Sequence, residues 1–190
     1  MKNEVLKIIK NMDKDRIIIA VDGRCASGKS TFAAGLAEEL DANLFHMDDF
    51  FLQPYQRTKE RYSTPGENAD HERFLEEVLL PLEKGLPFRY APFDCTRMCI
   101  SEEKIEVFPK KYNIIEGSYS FHKDLADHYD LKIFLTADRD VQLARIRRRN
   151  PDKVDAFIEK WIPLEEMYFS SLNVMEKADV IIDTSGEMWK

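Results

Sequence analysis

The chain is short of positive charge. Its 28 lysines and arginines face 35 aspartates and glutamates, for a formal net charge of −7. A surface of that sign repels a phosphate backbone. No nucleic-acid partner is therefore expected, and an anionic ligand must be held by local positive charge. Cysteine is scarce and odd in number, at positions 25, 95 and 99. Cys95-x-x-x-Cys99 has no second Cys/His pair at zinc-like spacing, which argues against a metal centre and for reduced, cytoplasmic thiols. The four histidines, at 46, 71, 122 and 128, are scattered and form no metal spacing either. No apolar run approaches the roughly 20 residues of a membrane span. The opening Met1-Lys2-Asn3-Glu4-Val5-Leu6 reads as a charged amphipathic helix, not a signal peptide. Internal repeats and low-complexity segments are missing, and so is the Asn-Lys-x-Asp that a guanine-reading switch requires. Asp183-Thr184-Ser185-Gly186 has the Asp-x-x-Gly spacing but lies far from a switch position. A chain of 190 residues, 44% hydrophobic, is the right size for one cytoplasmic domain spanning 1–190, with no membrane contact.

One motif is present in full. Gly23-Arg24-Cys25-Ala26-Ser27-Gly28-Lys29-Ser30 reads G-x-x-x-x-G-K-S, and Thr31 opens the helix-like segment that follows. An apolar run, Arg16–Val21, precedes it. A loop from a buried strand into a helix N-terminus aims consecutive backbone N–H groups at an anion. Lys29 would then reach the β- and γ-phosphates of a nucleotide, ATP or GTP, and the Ser30 hydroxyl would ligate Mg²⁺.

Apolar runs that read as buried parallel strands recur at Ile17–Val21, Asn43–Met47, Tyr112–Glu116, Lys132–Thr136 and Asp179–Asp183. Helical patterns over Lys29–Leu40, His71–Lys84, Asp138–Arg149 and Asp155–Lys177 alternate with them. This alternation predicts an α/β fold of the P-loop NTPase type: a doubly wound parallel sheet of about five strands, its ligand site off the strand carboxyl ends. Residues 50–68 and 87–109 are rich in proline, aromatic and charged residues, and predict acceptor-binding loops and a small antiparallel flap. Asp48 and Glu116 each end a strand and should face the P-loop. One acid there suits Mg²⁺, and Asp48 or Asp49 suits the base that takes the proton of a hydroxyl acceptor. Leu143-Ala144-Arg145-Ile146-Arg147-Arg148-Arg149 is the most basic stretch. At helical spacing Arg145 lies near Arg148 and Arg149, while Arg147 points elsewhere, and Pro151 ends the helix. Guanidinium groups suit a transferring phosphoryl, so residues 145–155 read as a short lid. Trp161-Ile162-Pro163-Leu164 reads as helix packing.

The P-loop, Asp48-Asp49-Phe50-Phe51, Asn68-Ala69-Asp70-His71, Ile115-Glu116-Gly117 and Leu143-Ala144-Arg145 occur in that order. Together they resemble the uridine kinase-like P-loop kinases, a group that includes uridine–cytidine kinase, nicotinamide riboside kinase, phosphoribulokinase and bacterial pantothenate kinase. The resemblance implies a phosphotransferase acting on the hydroxyl of a small, nucleoside-like acceptor. Asp48 would be its base, Ser30, Asp48 and Glu116 its Mg²⁺ group, and Asp70 its ribose contact, with lid roles for Arg145 and Arg149. Tyr55, Phe93 and Arg97 are the aromatic and cationic candidates for the acceptor. The resemblance also allows a homo-oligomer. The chain departs from the pattern at Ala69, at Glu72, and after Phe93-Asp94-Cys95-Thr96-Arg97, where no base-contacting histidine follows. Uridine itself is therefore not the expected acceptor. A nicotinamide riboside or other metabolite kinase, or an ATPase switch without an acceptor, stands beside the first reading.

Overall fold

Alternate residues of the first strand face opposite ways, and that alternation builds two cores. The structure, a computed structural model, describes residues 1–186. Positions 187–190, the end of the span read as one domain, lie outside the described residues. Every residue of β1 (Ile17–Gly23) is buried. Ile17, Ile19 and Val21 pack with α1 (Lys2–Lys10) and α2 (Lys29–Leu40), through Val5, Leu6, Ile9, Phe32 and Leu36. Ile18 and Ala20 point into the other core, with Phe45, Phe74, Val78 and Tyr168. Each such valine, leucine, isoleucine or phenylalanine, fully buried, contributes about 1.5–3 kcal/mol.

Chain order continues with β2 (Asn43–His46), a 3₁₀ turn Met47–Phe50 and a short α3 (Lys59–Ser63). A continuous helix follows: α4 (His71–Phe74), a wide π turn Leu75–Leu79, and α5 (Leu80–Lys84). Two antiparallel pairs make the expected flap, β3 (Phe88–Tyr90) with β6 (Ile105–Val107) and β4 (Phe93–Asp94) with β5 (Cys99–Ile100). Then come β7 (Tyr112–Glu116), β8 (Leu131–Thr136), α6 (Arg139–Arg149), α7 (Val154–Ala156), a second π turn Phe157–Trp161, α8 (Ile162–Ser171) and β9 (Val180–Asp183). The main sheet has five parallel strands in the order β2-β7-β1-β8-β9, with helices on both faces.

Both π turns have the same cause. Pro81 and Pro163 each follow one, in the first turn of the next helix. Proline offers no N–H and its ring crowds the carbonyl four residues back, so the preceding turn widens instead of breaking. The helical pattern read to Lys177 stops earlier, at Ser171. Asn173 adopts φ 51°, and the Val174 N–H donates to the Phe169 carbonyl at 3.0 Å, a left-handed cap that ends the helix.

Asp22 follows Val21 on the face of the second core and is fully buried. Its Oδ1 accepts from the Gly23 N–H (2.6 Å), and its Oδ2 from the Phe121 N–H (2.9 Å) and the Tyr168 hydroxyl (2.8 Å). One carboxyl thus joins the P-loop, the turn after β7 and α8. Burial pushes its pKa up to about 6, against the pull of these donors and of Lys29. Asp22→Ala would leave all three donors without an acceptor in a dry core. The expected loss is about 3 kcal/mol or more, read as a lowered denaturant midpoint at unchanged slope. A wild-type midpoint would show that those donors do not need the carboxylate.

Candidate functional site

The parallel register brings the expected acids together. Glu116 ends β7 opposite Val21 of β1 on one side and His46 of β2 on the other. The chain turns there through Gly117, whose φ of +136° suits glycine and where a Cβ would stand 2.7 Å from the Met47 Cβ. Gly23 is tighter still, since a Cβ would lie 2.0 Å from the Leu135 carbonyl oxygen of β8. From Gly23 the P-loop alternates hand, with Ala26 at φ 58° and Gly28 at φ 96°. This is the kind of backbone from which N–H groups converge on an anion. Lys29 folds back over the loop and donates to the Gly23 and Arg24 carbonyls at 2.7 and 3.0 Å.

A cavity of about 520 Å³ opens over this loop. Cys25, Ala26, Gly28, Lys29, Ser30 and Thr31 line its P-loop side, while Gly23, Arg24 and Ser27 serve as framework outside it. Arg24 pairs with Glu166 and donates to Thr136 Oγ1 at 3.2 Å, and the Ser27 carbonyl accepts from the Thr184 hydroxyl at 2.8 Å. Asp48 and Glu116 face the same cavity. Ser30 Oγ donates to Glu116 Oε2 at 3.2 Å, and Glu116 Oε1 lies 2.6 Å from His46 Nδ1. That bond raises the His46 imidazole above its ordinary value. Asp48 is open to the cavity yet walled closely enough that desolvation, and then the Glu116 carboxylate, lift its pKa above the carboxylate norm. Asp49 turns elsewhere and accepts from the Tyr90 hydroxyl at 3.2 Å. Of the two adjacent acids, Asp48 lines the cavity and Asp49 does not.

Several expected residues lie outside the cavity. Asp70 caps α4, with Oδ1 accepting from the Arg73 N–H at 3.3 Å and Oδ2 lying 3.5 Å from Arg73 Nε. Its neighbours Asn68 and Ala69 line the wall in its place. Tyr55 is 74% exposed. Arg97 pairs with Glu102, at 3.7 Å. Phe93 is buried behind Phe51, ring centroids 6.2 Å apart, and Phe51 is the one that meets the cavity. The arginine pair splits. Arg149 lines the cavity beside Asn150 and Lys153, whereas Arg145 donates to the Ala26 carbonyl (3.2 Å), Thr184 Oγ1 (3.0 Å) and the Thr184 carbonyl (2.5 Å). Arg145 thus secures the outer side of the P-loop to the end of β9.

The structure also adds residues that pattern reading passed over. Phe157 and Trp161, the latter read as helix packing, line the cavity from the π turn before Pro163. Glu165 is buried there, accepting from the Cys25 N–H at 2.9 Å and the Ser118 hydroxyl at 2.6 Å. Burial, and then the Glu165 carboxylate, push the Cys25 thiol up to about 12, so it stays protonated. The scattered histidines are not all scattered in space, because His71 and His122 stack with ring centroids 3.7 Å apart.

A P-loop at the end of the central strand, strand-end carboxylates facing it and basic residues across the cavity define a nucleotide-dependent kinase of the P-loop class. The chain belongs to the Phosphoribulokinase / Uridine kinase family, whose sequence profile matches residues 18–186. It is 28% identical over 189 residues to a uridine kinase of Proteus mirabilis (strain HI4320), covering 90% of this chain and 88% of that one. To a uridine kinase of Lactobacillus helveticus (strain DPC 4571) it is 25% identical over 187 residues, with the same coverage of 90% and 88%. A solved structure from Bacillus stearothermophilus, described as a possible uridine kinase, has the same fold at a TM-score of 0.74 and 20% identity, over 96% of this chain and 97% of that one. Among the described residues no helix is long and apolar enough to cross a membrane.

The two arginines should separate in experiment. Arg145→Ala should cost about 1 kcal/mol of stability, since its guanidinium is partly exposed, and should leave kcat near wild type. Arg149→Ala should leave stability unchanged and cut kcat by about ten- to a hundredfold. Thermal denaturation and steady-state kinetics on both variants would reverse the assignment if the pattern came out the other way.

Proposed function

We propose that this kinase transfers the γ-phosphoryl group of ATP or GTP, with Mg²⁺, to a hydroxyl of a small nucleoside-like acceptor. The observation that carries this reading is the meeting of Asp48 and Glu116 with Lys29 and Ser30 on one cavity. The residues present suit both absent groups. Ser30 and Glu116 already share a hydrogen bond, and with Asp48 they form an oxygen donor set of the kind Mg²⁺ prefers. The backbone from Ala26 to Ser30 and the Lys29 ammonium suit a polyphosphate. Bound nucleotide supplies the phosphoryl group, and bound Mg²⁺ offsets its charge. The chain's own contribution is orientation and proton handling. Asp48 accepts the proton of the acceptor hydroxyl, and its raised pKa makes it a better base than an exposed aspartate. Lys29 would leave the Gly23 and Arg24 carbonyls for the phosphates. Arg149 and Lys153, on the short segment over residues 145–155, close toward the transferring group.

The acceptor side is aromatic and sparing in polar groups. Phe50, Phe51, Tyr119, Phe157 and Trp161 provide ring surfaces, and Asn68 donates to the Tyr119 hydroxyl at 3.3 Å. Such walls suit a planar or ring-shaped acceptor. The departures in sequence stand beside Asp70, Phe93 and Arg97 being placed away from the cavity, so the contacts expected for uridine are lacking. A site without those groups discriminates weakly for uridine. Nicotinamide riboside or another small metabolite stands beside it as the alternative acceptor.

The test is nucleoside diphosphate release from Mg·ATP and Mg·GTP against uridine, cytidine, nicotinamide riboside, pantothenate and simple sugars. Turnover should depend strongly on one acceptor, with kcat/KM for uridine well below that value. Asp48→Asn should lower kcat about 10²-fold or more while nucleotide affinity changes little. Hydrolysis of equal rate with and without every acceptor would replace the kinase reading by that of an ATPase switch.

A further inference from the structure

The stacked histidines sit in a cluster that the reaction does not use. Glu67 Oε1 lies 3.5 Å from His122 Nε2, and Glu67 Oε2 lies 3.8 Å from His71 Nδ1. One donor atom from each of the three residues falls within 4.8 Å of the others. Both imidazoles are buried, at 3% and 0% exposure, and these same two nitrogens, His71 Nδ1 and His122 Nε2, have no hydrogen-bond partner. Orphaned buried nitrogens are costly, and gaps of 3.5 and 3.8 Å are too long for N–H···O bonds. They come close to the spacing around a tetrahedral ion, whose donors at 2.0–2.1 Å stand roughly 3.4 Å apart.

We propose that Glu67, His71 and His122 bind one divalent transition-metal ion of the zinc type, which clasps the back of the acceptor wall. Two imidazoles and a carboxylate select zinc over Mg²⁺, which favours an all-oxygen shell. A second shell is in place. Asp124 Oδ2 lies 3.3 Å from His71 Nε2 and 3.7 Å from His122 Nδ1, the nitrogens that face away from Glu67. With metal on His122 Nε2, Nδ1 carries the proton and turns from accepting the Asp124 N–H, now at 3.3 Å, to donating toward the Asp124 carboxylate. Glu72 Oε2 stands 3.4 Å from His71 Nδ1 but is held by Arg61 at 2.6 Å, and Arg61 also lies 3.6 Å from Glu67. Three carboxylates against Arg61 and the nearby Lys123 leave the pocket negative before a dication enters. Asp124 and Glu72 are each half exposed and provide the entry side.

The position gives the clasp a purpose. Glu67 precedes Asn68 and Ala69 of the cavity wall, and His122 closes the turn that carries Ser118 and Tyr119. Gly66 packs on the His122 ring so closely that a Cβ would stand 2.8 Å from its Cδ2. A metal there would fix two loops of the acceptor wall to each other without touching the reacting atoms.

Zn²⁺ titration of the intact protein against a chromophoric chelator, with excess Mg²⁺ present, should show one tightly held equivalent and a higher Tm. Co²⁺ in its place should give tetrahedral ligand-field bands without thiolate charge transfer, which separates the site from Cys25, Cys95 and Cys99. Glu67→Gln and His71→Asn should abolish both signals, and Asp124→Asn should weaken Zn²⁺ about 10- to 100-fold, an effect that loss of packing alone would not give. The wild-type titration decides without relying on variants of the fully buried His122. No tight equivalent, or cobalt bands that survive Glu67→Gln, would overturn the proposal and leave adventitious binding only.

Discussion

The site depends on a carboxylate that is buried behind the cavity and does not line it. Asp22 takes hydrogen bonds from the P-loop, from the turn after β7 and from α8 at once. Those three segments bear or adjoin Lys29 and Ser30, Glu116 to Tyr119, and Glu165, all of which line the cavity. Three independent chain segments are thereby indexed to one pair of oxygen atoms. Glu165 repeats the device one layer outward, joining the Cys25 N–H to the Ser118 hydroxyl. Arg145 repeats it on the far side, with the opposite charge. The loop is held from three directions by Asp22, Glu165 and Arg145, and of these Glu165 alone lines the cavity.

This framing separates two kinds of charged residue around the P-loop. Asp22, Arg24 and Arg145 are paired with partners within the fold. Asp48, Arg149 and Lys153 face the cavity, with acid on the floor and base on the overhanging segment. A chain with net negative charge can therefore hold a polyanion, because the local field, not the overall sum, decides what enters.

The strand and helix pattern was largely legible in the sequence because hydrophobic period reports burial directly. The five core strands and the helices over 29–40 and 71–84 lie where the apolar runs put them. That Asp48 and Glu116 share one cavity was legible for a topological reason: parallel strands align their ends. What periodicity cannot carry is side-chain direction. Asp70 looked like a ligand contact by motif, yet it begins a helix, and an acid at that position caps N–H groups before it does anything else. Trp161 looked like packing, but Pro163 two residues on was the available signal that its turn would be irregular. Asp22 and the pairing of His71 with His122 depend on contacts across long stretches of chain, and no local pattern announces those.

Lys29 in this structure rests on the carbonyls of Gly23 and Arg24, so its ammonium already has hydrogen-bond partners within the loop. Ligand entry is then an exchange of partners for one ammonium group, not a folding event. The entropy of shaping the loop has already been met when the chain folds. Affinity is left to depend on how much better a charged oxygen serves that ammonium than two peptide oxygens do. A phosphate-poor molecule of the same shape offers no such improvement. For the polyphosphate proposed above, the resting lysine would work as a threshold that favours a strongly anionic group.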